Sequence, residues 1–382
     1  MRRKNAYDNV LHLTDYGAPY EGNFVSSLRA LEAKLNGEGR AMTYVFPPRA
    51  ADRPWAQEMA RVKPNVHILA PGGFFSYMRQ VRRLLSETQS GILHVHFIHY
   101  REKIASLLAA RTCGHRVKIV VHLHNHLDLP KNFLRALPQR LYLKQAAQFV
   151  CCSASVANRL IRDGIPQKKV VVAENAIAFD RLDESIPLTH TELGLPAEAK
   201  TALIFGFDFC RKGVDLAVEA VLQLRQEQEK NVALAVVLSS RKEDAERNIL
   251  RQLGASSLPD WIRLLPPRSD VGSYYRFADV FLSPSREEGF CYALVEAVYC
   301  KVSVVASAID AQKDLRLPES AFCVPGDVKS LAGAILRQLE QTRSEGRDDA
   351  LEEAKRRVVA AYSLSAWADA VALSYRNLLL RP

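Results

Sequence analysis

Short apolar runs alternate with amphipathic stretches along the 382-residue chain, and this alternation is the feature that most limits its fold. Thirteen runs have the length and character of buried strands: residues 10–13, 41–46, 66–69, 93–97, 118–123, 149–152, 170–173, 203–205, 233–238, 262–265, 280–282, 302–306 and 321–324. Helical patterns such as residues 23–35, 214–228 and 328–342 lie between them. Strands separated by helices are typical of parallel sheets, and thirteen strands are unusually many for one sheet. We therefore predict two doubly wound α/β domains.

The domain boundary is expected within residues 175–199, where turn formers, acids and Pro187 interrupt the periodicity. A chain of this length is natural for two domains of ordinary size. The pattern predicts a first domain over residues 1–182 and a second over residues 183–363. The amphipathic stretch 364–382 remains as a terminal helix.

Composition excludes several classes of protein. Hydrophobic residues make up 48% of the chain, which excludes a disordered protein. No apolar run is long enough for a spanning helix or a secretory signal, so we expect a cytoplasmic protein with the inner face of the membrane as a candidate location. The seven cysteines are odd in number and scattered through apolar runs, which predicts reduced core residues.

The positive charge lies in the first half of the chain. Residues 1–180 contain 26 Lys and Arg against 13 Asp and Glu, whereas the remainder contains 26 against 29. An excess of this kind favours an anionic partner: a phosphorylated acceptor, an acidic membrane face or nucleic acid. The first half has no recognisable nucleic-acid module, so nucleic acid is the weakest of the three.

Two glutamates, Glu288 and Glu296, surround a glycine turn between a buried strand and the start of a helix. The backbone N–H groups of Gly289, Phe290 and Cys291 would face the mouth of the sheet, where a helix N-terminus favours a diphosphate. Both carboxylates can accept hydrogen bonds from the hydroxyls of a sugar-bearing ligand. Each acid taken alone also fits ordinary acid enrichment at a helix N-terminus.

Two further turns join a strand to a helix. Gly22 and Asn23 follow the first strand, where a glycine lets the backbone approach a phosphate or an acceptor. Arg211 and Lys212 follow the strand 203–205 and are placed to hold a diphosphate. Such turns and such cation pairs also occur in a purely structural role, so the sequence leaves both interpretations open.

Histidines are concentrated near two strand ends: His94, His96, His99, His122, His124 and His126. A His-x-His run in a strand places alternate side chains on one face, as some metallohydrolases present their ligands. A metal-dependent hydrolase is therefore the rival hypothesis. A histidine in the ligand cleft of a doubly wound domain is expected at the same position. The sequence contains no Asp-x-Asp motif, which counts against a sugar transferase that needs a divalent metal ion.

Residues 131–144 form a basic and apolar stretch without an acid. A helix of this composition is able to lie on an anionic bilayer, and it is also common on ordinary protein surfaces. Peripheral membrane contact is therefore a hypothesis here.

Taken in order, these motifs resemble the retaining family-4 glycosyltransferases of the GT-B fold, over nearly the whole chain. The strongest match is the family's Glu-x7-Glu, met by Glu288 and Glu296. The stretch 211–215 is similar to the family's Lys-Gly-x-Asp phosphate turn, residues 172–177 to its Asn-Gly-Val motif, and His124 falls where the family has its cleft histidine. Two departures concern the phosphate site: Phe207 replaces the family's arginine, and Asn23 its second glycine.

The resemblance implies two Rossmann-like domains that face a cleft, with the terminal helix crossing back to the first. The basic first domain would bind the acceptor and the second a nucleotide sugar, with UDP slightly favoured over GDP or ADP and with neither cofactor nor metal. Glu288 would bind donor-sugar hydroxyls, Glu296 the ribose, and His124 the sugar or its leaving phosphate. The remaining donor contacts would come from Arg211, Lys212, the backbone of Gly289, Phe290 and Cys291, and Arg268 near the base.

Overall fold

The computed structural model describes residues 8–127, 133–238, 242–315, 317–341 and 347–380. The first seven strands are β1 (Asn9–Thr14), β2 (Met42–Phe46), β3 (Val66–Ile68), β4 (Ser90–His96), β5 (Lys118–Leu123), β6 (Gln148–Cys151) and β7 (Val170–Val172). The next six are β8 (Lys200–Phe205), β9 (Val232–Val237), β10 (Ile262–Leu265), β11 (Val280–Ser283), β12 (Ser303–Ser307) and β13 (Phe322–Cys323). Each of the thirteen predicted strands is therefore present, with its ends shifted by three residues at most.

Helices connect the strands. They are α1 (Gly22–Gly37), α2 (Pro54–Val62), α3 (Phe74–Glu87), α4 (Tyr100–Thr112), α5 (Phe133–Gln145), α6 (Ala154–Arg162), α7 (His190–Leu193), α8 (Val214–Glu227), α9 (Lys242–Leu253), α10 (Gly272–Phe277), α11 (Tyr292–Tyr299), α12 (Asp310–Lys313), α13 (Val328–Gln341), α14 (Arg347–Tyr362) and α15 (Leu364–Leu380). Short 3-10 helices are Pro48–Ala50, Gln167–Lys169, Phe179–Leu182 and Glu319–Ala321. Among the described residues, no helix combines the length and the apolarity that a membrane span requires.

The strands form two parallel sheets, in two compact units. The first unit runs to Ala178 and includes α15, and its strand order is β3-β2-β1-β4-β5-β6-β7. The second runs from Phe179 to Ser363, with the order β10-β9-β8-β11-β12-β13. The prediction of two doubly wound α/β domains is confirmed.

The terminal helix belongs to the core of the first unit. Helix α15 packs against α1, and Trp367, Val371 and Tyr375 are buried with Leu28 and Leu31. The first sheet supplies Val10, Ile92 and Val120 to the same core. Burying side chains of this size contributes about 1.5–3 kcal/mol each, so the seventeen residues of α15 are an integral part of this unit.

In each parallel sheet the order in which successive strands are added reverses at one point. This switch point lies between β1 and β4 in the first sheet and between β8 and β11 in the second. Loops diverge there at the carboxyl ends of the strands, which is where open α/β sheets bind ligands. Five of the seven cysteines are buried as predicted, and Cys300 is partly buried. The prediction is wrong for Cys210, which is exposed because it lies in the loop that follows β8 rather than in a strand.

Candidate functional site

Two loops meet at the carboxyl edge of the second sheet, one after β8 and one after β11. Gly213 ends the first loop with φ +73°, and a Cβ atom there would lie 2.2 Å from the Pro284 carbonyl oxygen of the second. A Cβ on Gly206 would lie 2.5 Å from the Val214 side chain. Only glycine allows this close approach, so Gly213 lets the two loops meet at the switch point, and Gly206 lets the first loop pack against the start of α8.

Glu288 is the centre of this site and is only 5% exposed. Its Oε1 accepts hydrogen bonds from Lys212 Nζ at 2.5 Å and from Ser285 Oγ at 2.8 Å. Arg211 Nη1 donates to Oε2 at 3.4 Å. A buried carboxylate needs such partners, since burying an unpaired charge is costly. Three of the predicted donor-site residues are thus brought together: Glu288, Lys212 and Arg211.

Phe207 lies at the position where the resemblance to the family implies an arginine. Its ring lies 4.6 Å from Lys212 Nζ and 5.8 Å from Arg211 Cζ, within cation–π range of both. Arg211 also donates from Nε to Asp208 at 2.9 Å. The ring therefore helps to hold the two cations beside Glu288, although it brings no charge of its own.

The turn before α11 is formed by Gly289, Phe290 and Cys291. Phe290 packs edge-on against Tyr292 and Tyr362, at centroid distances of 5.0 and 5.4 Å. Cys291 is buried, with its Sγ 3.3 Å from Ser283 Oγ. Burial raises the pKa of the Cys291 thiol, which keeps it neutral and removes it as a nucleophile.

Glu296 is only 4% exposed and lies on α11. Its Oε1 accepts from Arg181 Nη2, and its Oε2 accepts from the Tyr275 hydroxyl at 2.9 Å. Burial and the neighbouring carboxylate raise the pKa of Tyr275 well above its usual value, so the hydroxyl remains a donor. Sequence reasoning missed Arg181, which lies 115 residues before Glu296 in a 3-10 helix without a motif.

Arg268 lies in the loop after β10 and is partly exposed. It donates from Nε and Nη2 to the two Asp270 oxygens at 2.8 and 2.9 Å, and its Cζ lies 5.9 Å from the Tyr274 ring centroid. The bidentate pair fixes the guanidinium in the plane of the carboxylate. That Arg268 lies near the base of a bound nucleotide stays a prediction.

A cavity of about 820 Å³ opens beside the loop after β8, which is within the range of small-molecule sites. Gly206, Phe207 and Arg211 line it on one side, and Arg247 and Arg251 of α9 on the other. The sequence analysis did not identify the two α9 arginines as candidate site residues. Their four-residue spacing, which places both on one face of the helix, was the signal that could have shown them.

In the first unit, Gly22 opens α1 with φ +61°, and the Asn23 side chain accepts from the Ala178 backbone N–H at 3.1 Å. Asn23 thus stabilises the chain at the end of this unit. Asp15, in the loop after β1, accepts from Arg49 Nη1 at 2.6 Å and lies 3.2 Å from His99 Nε2. Sequence reasoning missed this charged group, because Asp15 and Arg49 lie on separate loops 34 residues apart.

His124 follows β5 and is half-buried. Its ring is stacked between Phe97 at 4.0 Å and His122 at 4.2 Å, and its Nε2 lies 3.1 Å from His96 Nδ1. Burial lowers the pKa of His124 to about 3, so the ring is neutral at pH 7. Phe97 has φ +59°, a strained conformation for a bulky residue, at the carboxyl end of β4.

The histidines of the rival metal hypothesis do lie close together. Ligand atoms of His12, His94 and His96, and those of His96, His122 and His124, lie within 4.8 Å of one another. Within each group, however, one pair of rings is stacked nearly parallel, with 19° between the planes of His12 and His96 and 6° between those of His122 and His124, and the third ring is tilted from them by 28° to 43°. Lone pairs lie in the ring plane, so nearly parallel stacked rings do not converge on one ion as tetrahedral ligands must.

The basic stretch 131–144 lies partly outside the described residues, since residues 131 and 132 are not among them. Its described side chains divide into two faces: Tyr142 and Leu143 are buried, whereas Arg140, Leu141 and Lys144 are exposed. This division is that of an amphipathic helix with a basic outer face.

Family comparisons match both halves of the chain. A family described as "Glycosyl transferases group 1" matches residues 199–341, and "Glycosyltransferase Family 4" matches residues 40–181, together about three quarters of the chain. The D-inositol 3-phosphate glycosyltransferase of Kineococcus radiotolerans is 31% identical over 149 residues, which cover 36% of this chain and 34% of that protein. A phosphatidylinositol N-acetylglucosaminyltransferase subunit from Arabidopsis thaliana is 25% identical over 345 residues, covering 85% and 73%.

Solved structures agree on the fold. A glycosyltransferase from Rickettsia africae has a TM-score of 0.78 at 18% identity, covering 98% of this chain and 100% of that one. Anabaena HepE, solved in complex with UDP-glucose, has a TM-score of 0.75 at 16% identity, covering 97% and 99%. These likenesses confirm the predicted GT-B fold.

Proposed function

The chain belongs to the family-4 glycosyltransferases, and from this premise we propose that it transfers a sugar from a nucleoside diphosphate sugar to a hydroxyl of an anionic acceptor. The observation that carries the proposal is the cluster of Lys212 and Arg211 around the buried Glu288, at the switch point of the second sheet. Two cations beside a helix N-terminus suit a diphosphate, and a carboxylate between them suits sugar hydroxyls.

In the reaction, the bond between the anomeric carbon and the diphosphate oxygen breaks, and a bond to the acceptor oxygen forms. Lys212 and Arg211 stabilise the charge that develops on the leaving diphosphate, together with the backbone N–H groups of the turn at Gly289. The acceptor proton passes to the leaving phosphate oxygen on the same face of the sugar, so the anomeric configuration is retained. Glu288 orients both the sugar and Lys212, and the cations perform the charge neutralisation without a metal.

We favour a UDP-sugar as the donor because HepE, a relative in fold, was solved with UDP-glucose. A thermal-shift panel of UDP-, GDP- and ADP-sugars tests the donor directly, since a ligand at 100 times its Kd stabilises by about 2.7 kcal/mol. Lys212→Met should abolish the shift, and Lys200→Met should keep it, because Lys200 pairs with Asp279 outside the cluster. If no nucleotide sugar shifts the unfolding temperature, the proposed donor class is wrong.

For the acceptor we propose a phosphorylated or lipid-linked hydroxyl compound, bound by the first unit. The positive excess of residues 1–180 and the inositol-linked names of the two relatives support this class. Arg49, which follows β2 and pairs with Asp15 in the loop after β1, is a candidate contact for the phosphate, with a side chain 54% exposed. Transfer to inositol 3-phosphate and to unphosphorylated inositol, measured side by side, tests the requirement for a phosphate. Equal rates with both acceptors would exclude it.

We also propose peripheral contact with an anionic membrane through the exposed face of α5, at the inner face of the membrane. Arg140 and Lys144 provide charge on that face, and Leu141 is 51% exposed between them. Co-sedimentation with vesicles of phosphatidylcholine alone and with added phosphatidylserine tests this contact. Binding that does not depend on the anionic lipid, or an Arg140→Glu variant that binds equally well, would contradict it.

A further inference from the structure

Five histidine rings and one tyrosine form a group on one face of the first sheet, in which His124 is half-buried and the others are buried. The rings are His12 on β1, His94 and His96 on β4, His122 on β5 and His124 just after β5, and the tyrosine is Tyr375 of α15. The β-sheet register explains the grouping, because His12 is opposite His94 and His96 is opposite His122. Alternation along the strands then keeps all these side chains on the face that packs against α1 and α15.

Hydrogen bonds connect five of these residues in a row, from His94 at one end to His124 at the other. Tyr375 OH lies 3.1 Å from His12 Nε2, His12 Nδ1 lies 3.0 Å from His96 Nε2, and His96 Nδ1 lies 3.1 Å from His124 Nε2. The Tyr375 hydroxyl also bonds to Nδ1 of His94. Burial lowers the pKa of every ring in the row, so each ring is neutral and has one donor nitrogen and one acceptor nitrogen.

The direction of the hydrogens follows from the two ends. At one end, His124 forms a hydrogen bond with Asn175, which raises its pKa against the larger effect of burial and is consistent with the ring as donor. At the other end, His94 Nε2 is buried without a partner, and an unpaired lone pair is more readily tolerated there than an unpaired N–H. The His94 end fixes the arrangement and the bond to Asn175 agrees with it: each histidine of the row carries its hydrogen on Nδ1.

We propose that this row is a relay that fixes His124 as the neutral Nδ1–H tautomer, with His96, His12 and Tyr375 as positioning residues. Because His96 Nδ1–H donates a hydrogen bond to Nε2 of His124, the His124 ring carries its only hydrogen on Nδ1. His124 is thereby an uncharged hydrogen-bond donor at neutral pH, ready to exchange Asn175 for an oxygen of the donor sugar or its phosphate. This use of the ring rests on the proposed transferase function, whereas the relay itself does not.

A metal ion is the competing explanation of the same rings. It would need lone pairs on nitrogens that the relay uses for hydrogen bonds, and the nearly parallel rings of His122 and His124 present their lone pairs side by side rather than toward one point. His122 takes no part in the row, since neither of its ring nitrogens has a partner. It therefore provides a matched control: a buried histidine in the same stack that can be replaced without breaking the chain of hydrogen bonds.

The test is the position of the ring hydrogen in 15N-histidine-labelled protein, read from long-range 1H–15N correlations at pH 7. We expect His124 to carry it on Nδ1 in the wild type and in His122→Leu, and to exist as a mixture of the neutral Nδ1–H and Nε2–H tautomers in His96→Leu. His96→Asn should restore the wild-type pattern, because the asparagine amide provides an N–H close to the position of Nδ1. In the transferase assay, kcat should fall about 10–100-fold in His96→Leu and recover in His96→Asn, as for other residues that orient a functional group.

Three results would overturn the relay: a hydrogen on Nε2 of His124 in the wild type, an unchanged tautomer in His96→Leu, or one equivalent of transition metal in the purified protein. If His96→Leu does not fold, the wild-type and His96→Asn spectra still decide the tautomer. A protein without transferase activity whose His124 shows the Nδ1–H signal would contradict the proposed function and leave the relay standing.

Discussion

Lys212 and Glu288, 76 residues apart in the chain, form a buried hydrogen-bonded ion pair with 2.5 Å between Nζ and Oε1. The side chains are 11% and 4% exposed, so water screens the pair only weakly. The pair joins the two loops of the switch point and combines the cation expected at the diphosphate with the carboxylate expected at the sugar. In the absence of a ligand each partner neutralises the other, which keeps both groups in place for the donor.

Glu288→Gln should lower the rate of sugar transfer by about 100–1,000-fold, the usual cost of removing one charge-stabilising group from an active site. The glutamine retains the shape of the side chain and can still bond to Ser285, so the protein should remain folded. Transfer from the donor identified in the thermal-shift panel provides the rate, and circular dichroism monitors the fold.

Glu287→Gln is the matched control, because Glu287 is an exposed glutamate in the same loop. It should retain nearly the wild-type rate. Equal losses in the two variants would mean that the charge of the loop, and not the buried carboxylate, determines the rate. Full activity of Glu288→Gln would remove Glu288 from the site.

The meeting of Glu288 with Lys212 could be predicted from the sequence, because parallel strands bring their carboxyl ends to one edge and the two loops follow neighbouring strands β8 and β11. The strand pattern was sufficient for both sheets, since each buried strand is a short apolar run between helical stretches. Local patterns of this kind are determined by burial, which the sequence shows directly.

Contacts between distant segments could not be predicted in the same way. Arg181 lies in a short 3-10 helix whose sequence has no periodicity, so nothing in the chain indicates that it pairs with Glu296. The bond between Tyr375 and His12 joins residues 363 positions apart. Which side chain of a terminal helix meets which strand residue depends on helix rotation and crossing angle, and hydrophobic periodicity defines only the face.

Arg181→Met should destabilise the protein by about 3 kcal/mol, because it removes the cation that pairs with the buried Glu296 carboxylate. We expect the lower end of the usual range, since the Arg181 side chain is 32% exposed and the Tyr275 hydroxyl still donates to Glu296. Glu296→Gln in the same chain should recover part of the loss, which gives a coupling energy of about 0.5–3 kcal/mol in urea unfolding. Additive losses would show that the two residues stabilise the protein independently.

Acid should destabilise the protein steeply between pH 6.5 and 5. Burial lowers the pKa of His12 to about 3 and lowers those of His94, His96 and His122 well below their usual value. The unfolded chain therefore binds more protons than the folded one in this range, so stability is present above pH 6.5 and is lost as the pH falls. Each ring contributes a slope of up to about 1.4 kcal/mol per pH unit.

The measurement is the free energy of unfolding in urea at intervals of half a pH unit over this window, where most carboxylates stay ionised. His122→Leu should reduce the slope by about one proton, because it removes one buried ring and leaves the others in place. A slope that is flat from pH 6.5 to 5, or one that His122→Leu does not change, would contradict the neutral state of the rings.

We expect Arg211 to take over the role of the arginine that the family has at position 207, and this exchange can be tested by restoring the family residue. Arg211→Met should weaken UDP binding about tenfold in calorimetry, since it removes one of two cations from the diphosphate site. Phe207→Arg in that background should recover most of the affinity, because position 207 is 51% exposed and faces the same loop and cavity. Phe207→Leu is the control, which removes the ring beside Lys212 without adding a charge and should recover nothing. If Arg211→Met binds UDP as tightly as the wild type, Lys212 alone neutralises the diphosphate, and Arg211 has not taken over the role of the family's arginine.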